Sequence, residues 1–107
     1  SEEIAQMMKQ LRKNPFTEIA GSQVIYVEDY QTGEVKNLKN GTSEKLDIPS
    51  SNVLIYITED GSKIAARPSG TEPKIKFYMS VNSGNEPATP SLLQDKIARI
   101  KKHLDLS

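Results

Sequence analysis

The chain contains no cysteine, no tryptophan and a single histidine, His103. The first absence excludes disulfides, thiolate nucleophiles and cysteine zinc sites, and one histidine cannot build a histidine metal cage. Neither sign of charge is in excess, because 14 Lys and Arg balance 14 Asp and Glu. No global field therefore draws nucleic acid or an anionic membrane, and any anion site has to be local. Long apolar runs are missing too: the longest is about five residues, against the roughly 20 that a membrane-spanning helix needs. Ser1-Glu2-Glu3 does not open like a signal peptide, so the expected setting is soluble and cytoplasmic.

What remains is 107 residues, 36% of them hydrophobic, with a mean hydropathy of -0.55. That is room for one domain with a small core and wet edges. In Ile4, Met7, Met8 and Leu11 the apolar positions recur at helical spacing, with acids ahead and Lys9, Arg12 and Lys13 behind. This predicts an amphipathic helix that suits its own dipole and ends at Asn14-Pro15. The β-branched and aromatic run from Gln23 to Tyr30 predicts a strand. Gln31 to Ser51 is polar and aperiodic and reads as a long connecting loop with room for short strand pieces, either a partner contact or a decorated edge.

Asn52 to Thr58 and Lys63 to Arg67 flank Glu59-Asp60-Gly61-Ser62, the signature of an antiparallel hairpin. From Ile75 to Val81, Ile75, Phe77, Met79 and Val81 alternate with Lys76, Tyr78 and Ser80, as in a strand buried on one face. Thr89-Pro90 supplies an N-cap and an N1 proline for a second helix whose stripe is Leu93, Ile97, Ile100 and Leu104. His103, near that helix end, is expected to be solvated and to meet the terminal carbonyls. The order predicts an α+β domain: a four-stranded, mainly antiparallel sheet with two helices packed on one face.

The chemistry concentrates in Arg67-Pro68-Ser69-Gly70-Thr71-Glu72-Pro73-Lys74, followed by Ile75 and Lys76. Arg67 offers a planar fork for an oxyanion, and Lys74 and Lys76 add point charges. Ser69 and Thr71 add hydroxyls around Gly70, which permits a positive φ or a close backbone approach. The two prolines stiffen the connector. The same residues also make an ordinary tight turn, and Glu72 opposes an anion. On composition alone, both readings stand.

This segment resembles the phosphate-binding signature of the C-terminal domain of the α-D-phosphohexomutases, the phosphoglucomutase and phosphomannomutase superfamily. The likeness continues through Ile75-Lys76-Phe77-Tyr78 and back to Tyr30-Gln31-Thr32-Gly33, and it favours the phosphoglucomutase and phosphopentomutase branch. It implies a TATA-binding-protein-like fold for residues 1–107 and a place as the fourth of four domains in an isomerase that moves a phosphoryl group through an enzyme phosphoserine. It further implies that Arg67, Ser69, Gly70 and Thr71 hold the non-reacting phosphate of a hexose or pentose phosphate. Lys76 stands where relatives commonly have Arg, and Lys74 is an addition of this branch. The partners so implied are a sugar phosphate and the other three domains, with no nucleic acid and no membrane.

The family's phosphoserine, magnesium and sugar-recognition loops have no counterpart here. Asp29, Asp47, Asp60, Asp95 and Asp105 are scattered, so Mg²⁺ is expected on an absent domain, and no catalytic residue is assigned in this chain. The isolated chain is expected to be inactive. The competing reading is a stand-alone module for a phosphorylated ligand or nucleic acid.

Overall fold

The helix α1 (Glu2–Lys13) has Glu2 and Glu3 in its first turn and Arg12 and Lys13 in its last, and it buries Ile4 and Met8. The dipole and the apolar stripe thus act together. The computed structural model describes residues 2–70 and 72–104. After α1 come β1 (Glu18–Ile19), β2 (Ser22–Asp29), β3 (Glu34–Asn37), β4 (Ser43–Lys45), β5 (Leu54–Thr58), β6 (Lys63–Pro68), β7 (Ile75–Ser80) and α2 (Pro90–His103). Six strands form one sheet in the order β4-β3-β2-β5-β6-β7, and β1 pairs separately with β2. Every pairing is antiparallel.

The expected four-stranded sheet is therefore corrected to six strands plus a two-residue pair. The additional edge comes from the stretch expected to be a loop. Asp29 accepts the amides of Gln31 and Thr32 through Oδ1, and Gly33 turns the chain at φ 72°. A Cβ at Gly33 would stand 3.2 Å from the Leu46 carbonyl oxygen, so the turn and the packing both call for glycine. Asn37 Oδ1 likewise accepts from Lys39 and Asn40, closing the β3–β4 hairpin. These strands are too short and too polar to show a period of two.

In β2 the register shifts between Val24 and Tyr26. This bulge lets Val24 and Val27, three positions apart, both be buried. Along β5 and β6 the alternation is regular, burying Leu54, Tyr56 and Thr58, then Ile64 and Ala66. Both helices contribute to this one core, α1 through Ile4 and Met8 and α2 through Ile100. The shortest dimension of the chain is 22 Å, the thickness of two layers. The sheet face opposite the core carries Ile55, Ala65, Arg67, Lys76 and Tyr78, all partly or well exposed.

Polar contacts pin the helices to the sheet. Arg12 donates to Asp29 at 3.0 Å and to Asn52 at 2.7 Å, tying α1 to β2 and to the segment before β5. Lys96 of α2 donates to Asp60 and to the Asn82 carbonyl, each at 2.7 Å. Thr89 caps α2, accepting the Leu92 amide at 3.2 Å, as its sequence predicts. His103 is exposed as expected, but its partner differs. Its Nδ1 accepts the Ala20 amide at 3.2 Å and its ring meets Phe16 edge-on at 5.9 Å, so it braces the β1–β2 turn, where Ala20 has φ 50°, rather than the helix carbonyls.

Asp60 lies at the tight β5–β6 turn, where Gly61 has φ 85°. Burial works to raise its carboxyl pKa, but hydrogen bonds from Lys96, Thr58 and Ser62 outweigh it and hold the group at about 2. A depressed carboxylate stabilises the fold fully above its unfolded pKa near 3.9 and loses that contribution as pH falls through the folded value. With solvent screening at a side chain 21% exposed, the contribution is about 1 to 2 kcal/mol. Urea unfolding at pH 5 and pH 2.5 should show the wild type losing about two-thirds of that contribution beyond the loss in Asp60→Asn, because the folded carboxyl is still largely ionised at pH 2.5. Equal losses in the two proteins would refute the assignment.

Candidate functional site: a cationic rung at the β6–β7 connector

The β6–β7 hairpin sets the geometry of the connector. Its register places Arg67 directly opposite Lys76 and Ala65 opposite Tyr78, so these four residues share one face of the sheet, away from the core. At the end of the ladder the Ser69 amide donates to the Lys74 carbonyl at 2.9 Å, and the Lys74 amide to the Glu72 carbonyl at 2.8 Å. The Glu72 amide donates to Ser69 Oγ at 3.3 Å. Ser69 is buried, and its hydroxyl braces the connector from inside.

The charges are arranged unevenly. Lys74 pairs with Glu72 at 3.3 Å, both well exposed. Arg67 and Lys76 enter none of the ion pairs among the described residues. Arg67 instead lies 5.5 Å from the centre of the Tyr78 ring. Like charges directly opposite each other across a ladder are destabilising. The chain thus holds two exposed cations on one rung without a carboxylate between them, an arrangement that an oxyanion would relieve.

Of the residues expected in the site, Arg67, Ser69, Gly70, Lys74 and Lys76 are gathered at this strand end, and Thr71 lies outside the described residues. Of the two options open to Gly70, one falls away. Gly70 does not adopt a positive φ; a Cβ there would meet nothing within 4 Å, so the chain's own packing makes no demand for glycine. Tyr78 was not among the expected site residues. Counting the hairpin register outward from the connector would have placed it diagonal to Arg67.

Among the described residues, concavities lie elsewhere. A groove of about 870 Å³ between α1 and β7 is lined by Met7, Leu11, Ile75, Phe77 and Leu104 and reaches the connector through Lys74. Its apolar walls offer little to a phosphate. A smaller cavity of about 200 Å³ is lined by the Asp60–Lys96 pair and its neighbours, whose hydrogen bonds are already engaged in the fold. Among the described residues no three His, Cys, Asp or Glu side chains cluster to hold a metal. Among the same residues no helix is long and apolar enough to cross a membrane.

Fold and connector together define a two-layer α+β domain that presents a local cationic surface at one end of an antiparallel hairpin. Comparison with known proteins places it further. The chain is 45% identical over 82 residues to the phosphoglucomutase of Staphylococcus saprophyticus. It is 44% identical over 84 residues to that of Staphylococcus haemolyticus, and 47% over 78 residues to that of Staphylococcus aureus strain MRSA252. These matches cover 77%, 78% and 73% of this chain but only 15%, 15% and 14% of those proteins. The chain is thus similar to a segment that makes up about 15% of a phosphoglucomutase. No protein-family model and no solved structure matches it.

Proposed function

We propose that this chain is the fourth, C-terminal domain of a phosphoglucomutase-like isomerase and that it holds the non-reacting phosphate of a sugar phosphate at the β6–β7 connector. The observation that carries this reading is the Arg67–Lys76 rung, two exposed cations directly opposed with no carboxylate partner among the described residues. The relatives named phosphoglucomutase support it from sequence.

In this reading Arg67 grips two phosphate oxygens through its planar fork and Lys76 neutralises a third. Gly70 leaves open space beside the backbone for close approach of the ligand. Ser69, already bonded to the Glu72 amide, shapes the connector, and Thr71 adds a hydroxyl. Lys74 lends charge once it leaves Glu72. Phosphoryl transfer is mainly positioning plus electrostatic stabilisation, so a domain that holds the remote phosphate raises the rate without touching the reacting group. The phosphoserine and the rest of the active site belong to other domains, which makes the isolated chain a binder without turnover in a cytoplasmic enzyme.

Thermal unfolding tests the binding step. Ligand bound only to the folded state, at ten times its Kd, adds about 1.4 kcal/mol, or roughly 5 to 10 °C in Tm for a domain of this size. Glucose 1-phosphate is expected to give that rise and glucose none. Equal effects from both sugars would reject a phosphate site.

Glu72 supplies a second check. Its carboxylate engages Lys74 and repels an incoming anion, but the two side chains are 60% and 57% exposed, so screening keeps the effect small. Glu72→Gln should tighten phosphate binding by about 2- to 4-fold at low salt, with the gain shrinking as salt rises. Weaker binding in that variant would contradict the role given to Glu72.

A further inference from the structure

We infer that Tyr78 is a positioning residue for this phosphate site: its ring holds the Arg67 cation beside the Arg67–Lys76 rung, keeping the guanidinium fork ready for an oxyanion. The inference rests on the phosphate reading above and adds a residue outside the expected phosphate ligands.

Three observations carry it. Tyr78 sits opposite Ala65 in the register and therefore diagonal to Arg67, within reach of a long side chain on the same face. Ala65 is small, which leaves space above the sheet between them. The guanidinium carbon lies 5.5 Å from the ring centroid, inside the range of a cation–π attraction.

The ring is also 49% exposed. Core packing therefore does not account for a large aromatic residue here, in contrast to Tyr56, which is fully buried.

The choice of partner matters chemically. An unrestrained arginine loses rotamer freedom when it captures a ligand, and Lys76 opposite repels it. A carboxylate partner would hold the guanidinium but would occupy the N–H fork that phosphate needs. An aromatic ring attracts the cation without supplying a competing carboxylate. The ion pairs among the described residues fit this division. Arg12 and Arg99, outside the connector, are held by Asp29 and Asp95, whereas Arg67 is held by a ring.

The test is a titration of the 107-residue chain with inorganic phosphate, followed by amide and arginine side-chain NMR, in wild type, Tyr78→Phe, Tyr78→Leu, Arg67→Ala and the Arg67→Ala/Tyr78→Leu double variant. The exposed position lets each variant be checked for an unchanged fold by its amide spectrum. Tyr78→Phe keeps the ring and should bind as wild type. Tyr78→Leu should weaken binding by about 2- to 5-fold, the scale of an exposed cation–π contact, and should raise the mobility of the Arg67 Nε–H group in the free protein. In the Arg67→Ala background the same change should cost nothing further, because the loss acts through Arg67.

Wild-type affinity and unchanged Arg67 mobility in Tyr78→Leu would overturn the inference and leave the phosphate reading standing, as would an undiminished Tyr78→Leu effect without Arg67. A wild-type chain in which phosphate leaves residues 67–76 unperturbed would overturn the phosphate reading, and the inference with it.

Discussion

Replacing Arg67 by alanine in a phosphoglucomutase that carries this segment is expected to lower kcat/KM by about 30- to 1,000-fold, a loss of roughly 2 to 4 kcal/mol of transition-state stabilisation. The figure is the scale for removing one partner of a charged, partly desolvated pair. Lys76 would remain, so the phosphate would keep a point charge but lose the two-pronged grip that fixes its orientation. A sugar whose remote phosphate is loosely held presents its reacting end in many orientations, and the productive fraction falls. Both kcat and KM should therefore change. Arg67→Lys should recover only part of the loss, because an ammonium group cannot reproduce the planar fork. Steady-state kinetics on the three enzymes decide the matter, and wild-type kinetics in Arg67→Ala would remove Arg67 from the site.

The second large effect concerns the core. Tyr56, on β5, is fully buried and meets the Phe16 ring edge-on at 5.3 Å. Its hydroxyl is buried with no hydrogen-bond partner among the described residues. Burial pushes its pKa up to about 12, with the Arg12 charge pulling it down and Asp29 pushing it up. Ring and hydroxyl therefore act in opposite senses. Tyr56→Ala should cost about 3 to 5 kcal/mol, the range for deleting a buried aromatic side chain, which is a large part of the roughly 5 to 15 kcal/mol that holds such a domain together. Tyr56→Phe removes only the unsatisfied hydroxyl and should be neutral or stabilising by up to about 1 kcal/mol. Urea unfolding of the two variants separates the contributions. A Tyr56→Phe protein destabilised by as much as Tyr56→Ala would show that the hydroxyl, not the ring, is what the core depends on.

The parts of the fold legible in the sequence are those where burial imposes a period. β5, β6 and β7 alternate because one face of each packs on the helices, and α1 and α2 carry apolar stripes for the same reason, while Thr89 marks the start of α2. β3 and β4 were not legible as strands. All of β4 and three of the four residues of β3 are polar, and they are held by backbone ladders and by asparagine and glycine turns rather than by an apolar face. The bulge at Val24–Tyr26 broke the period of two in β2, and β1 is too short to carry a pattern.

The site divides in the same way. Composition located the cluster between Arg67 and Lys76, since arginine, lysine, hydroxyls and glycine between two strands are visible without coordinates. The opposition of Arg67 to Lys76, the pairing of Lys74 with Glu72 and the ring contact of Arg67 all depend on register and side-chain direction. Sequence spacing alone does not determine either quantity. His103 makes the same point, because its partner Ala20 lies 83 positions away in the chain.

The central claim, that the Arg67–Lys76 rung is a phosphate site, is tested most directly by backbone amide NMR of the 107-residue chain titrated with glucose 1-phosphate and, separately, with glucose. The account predicts saturable shifts from the phosphate sugar concentrated between Arg67 and Lys76, absent with glucose and abolished in Arg67→Ala. Shifts centred on the α1–β7 groove, or a connector that responds equally to both sugars, would contradict it.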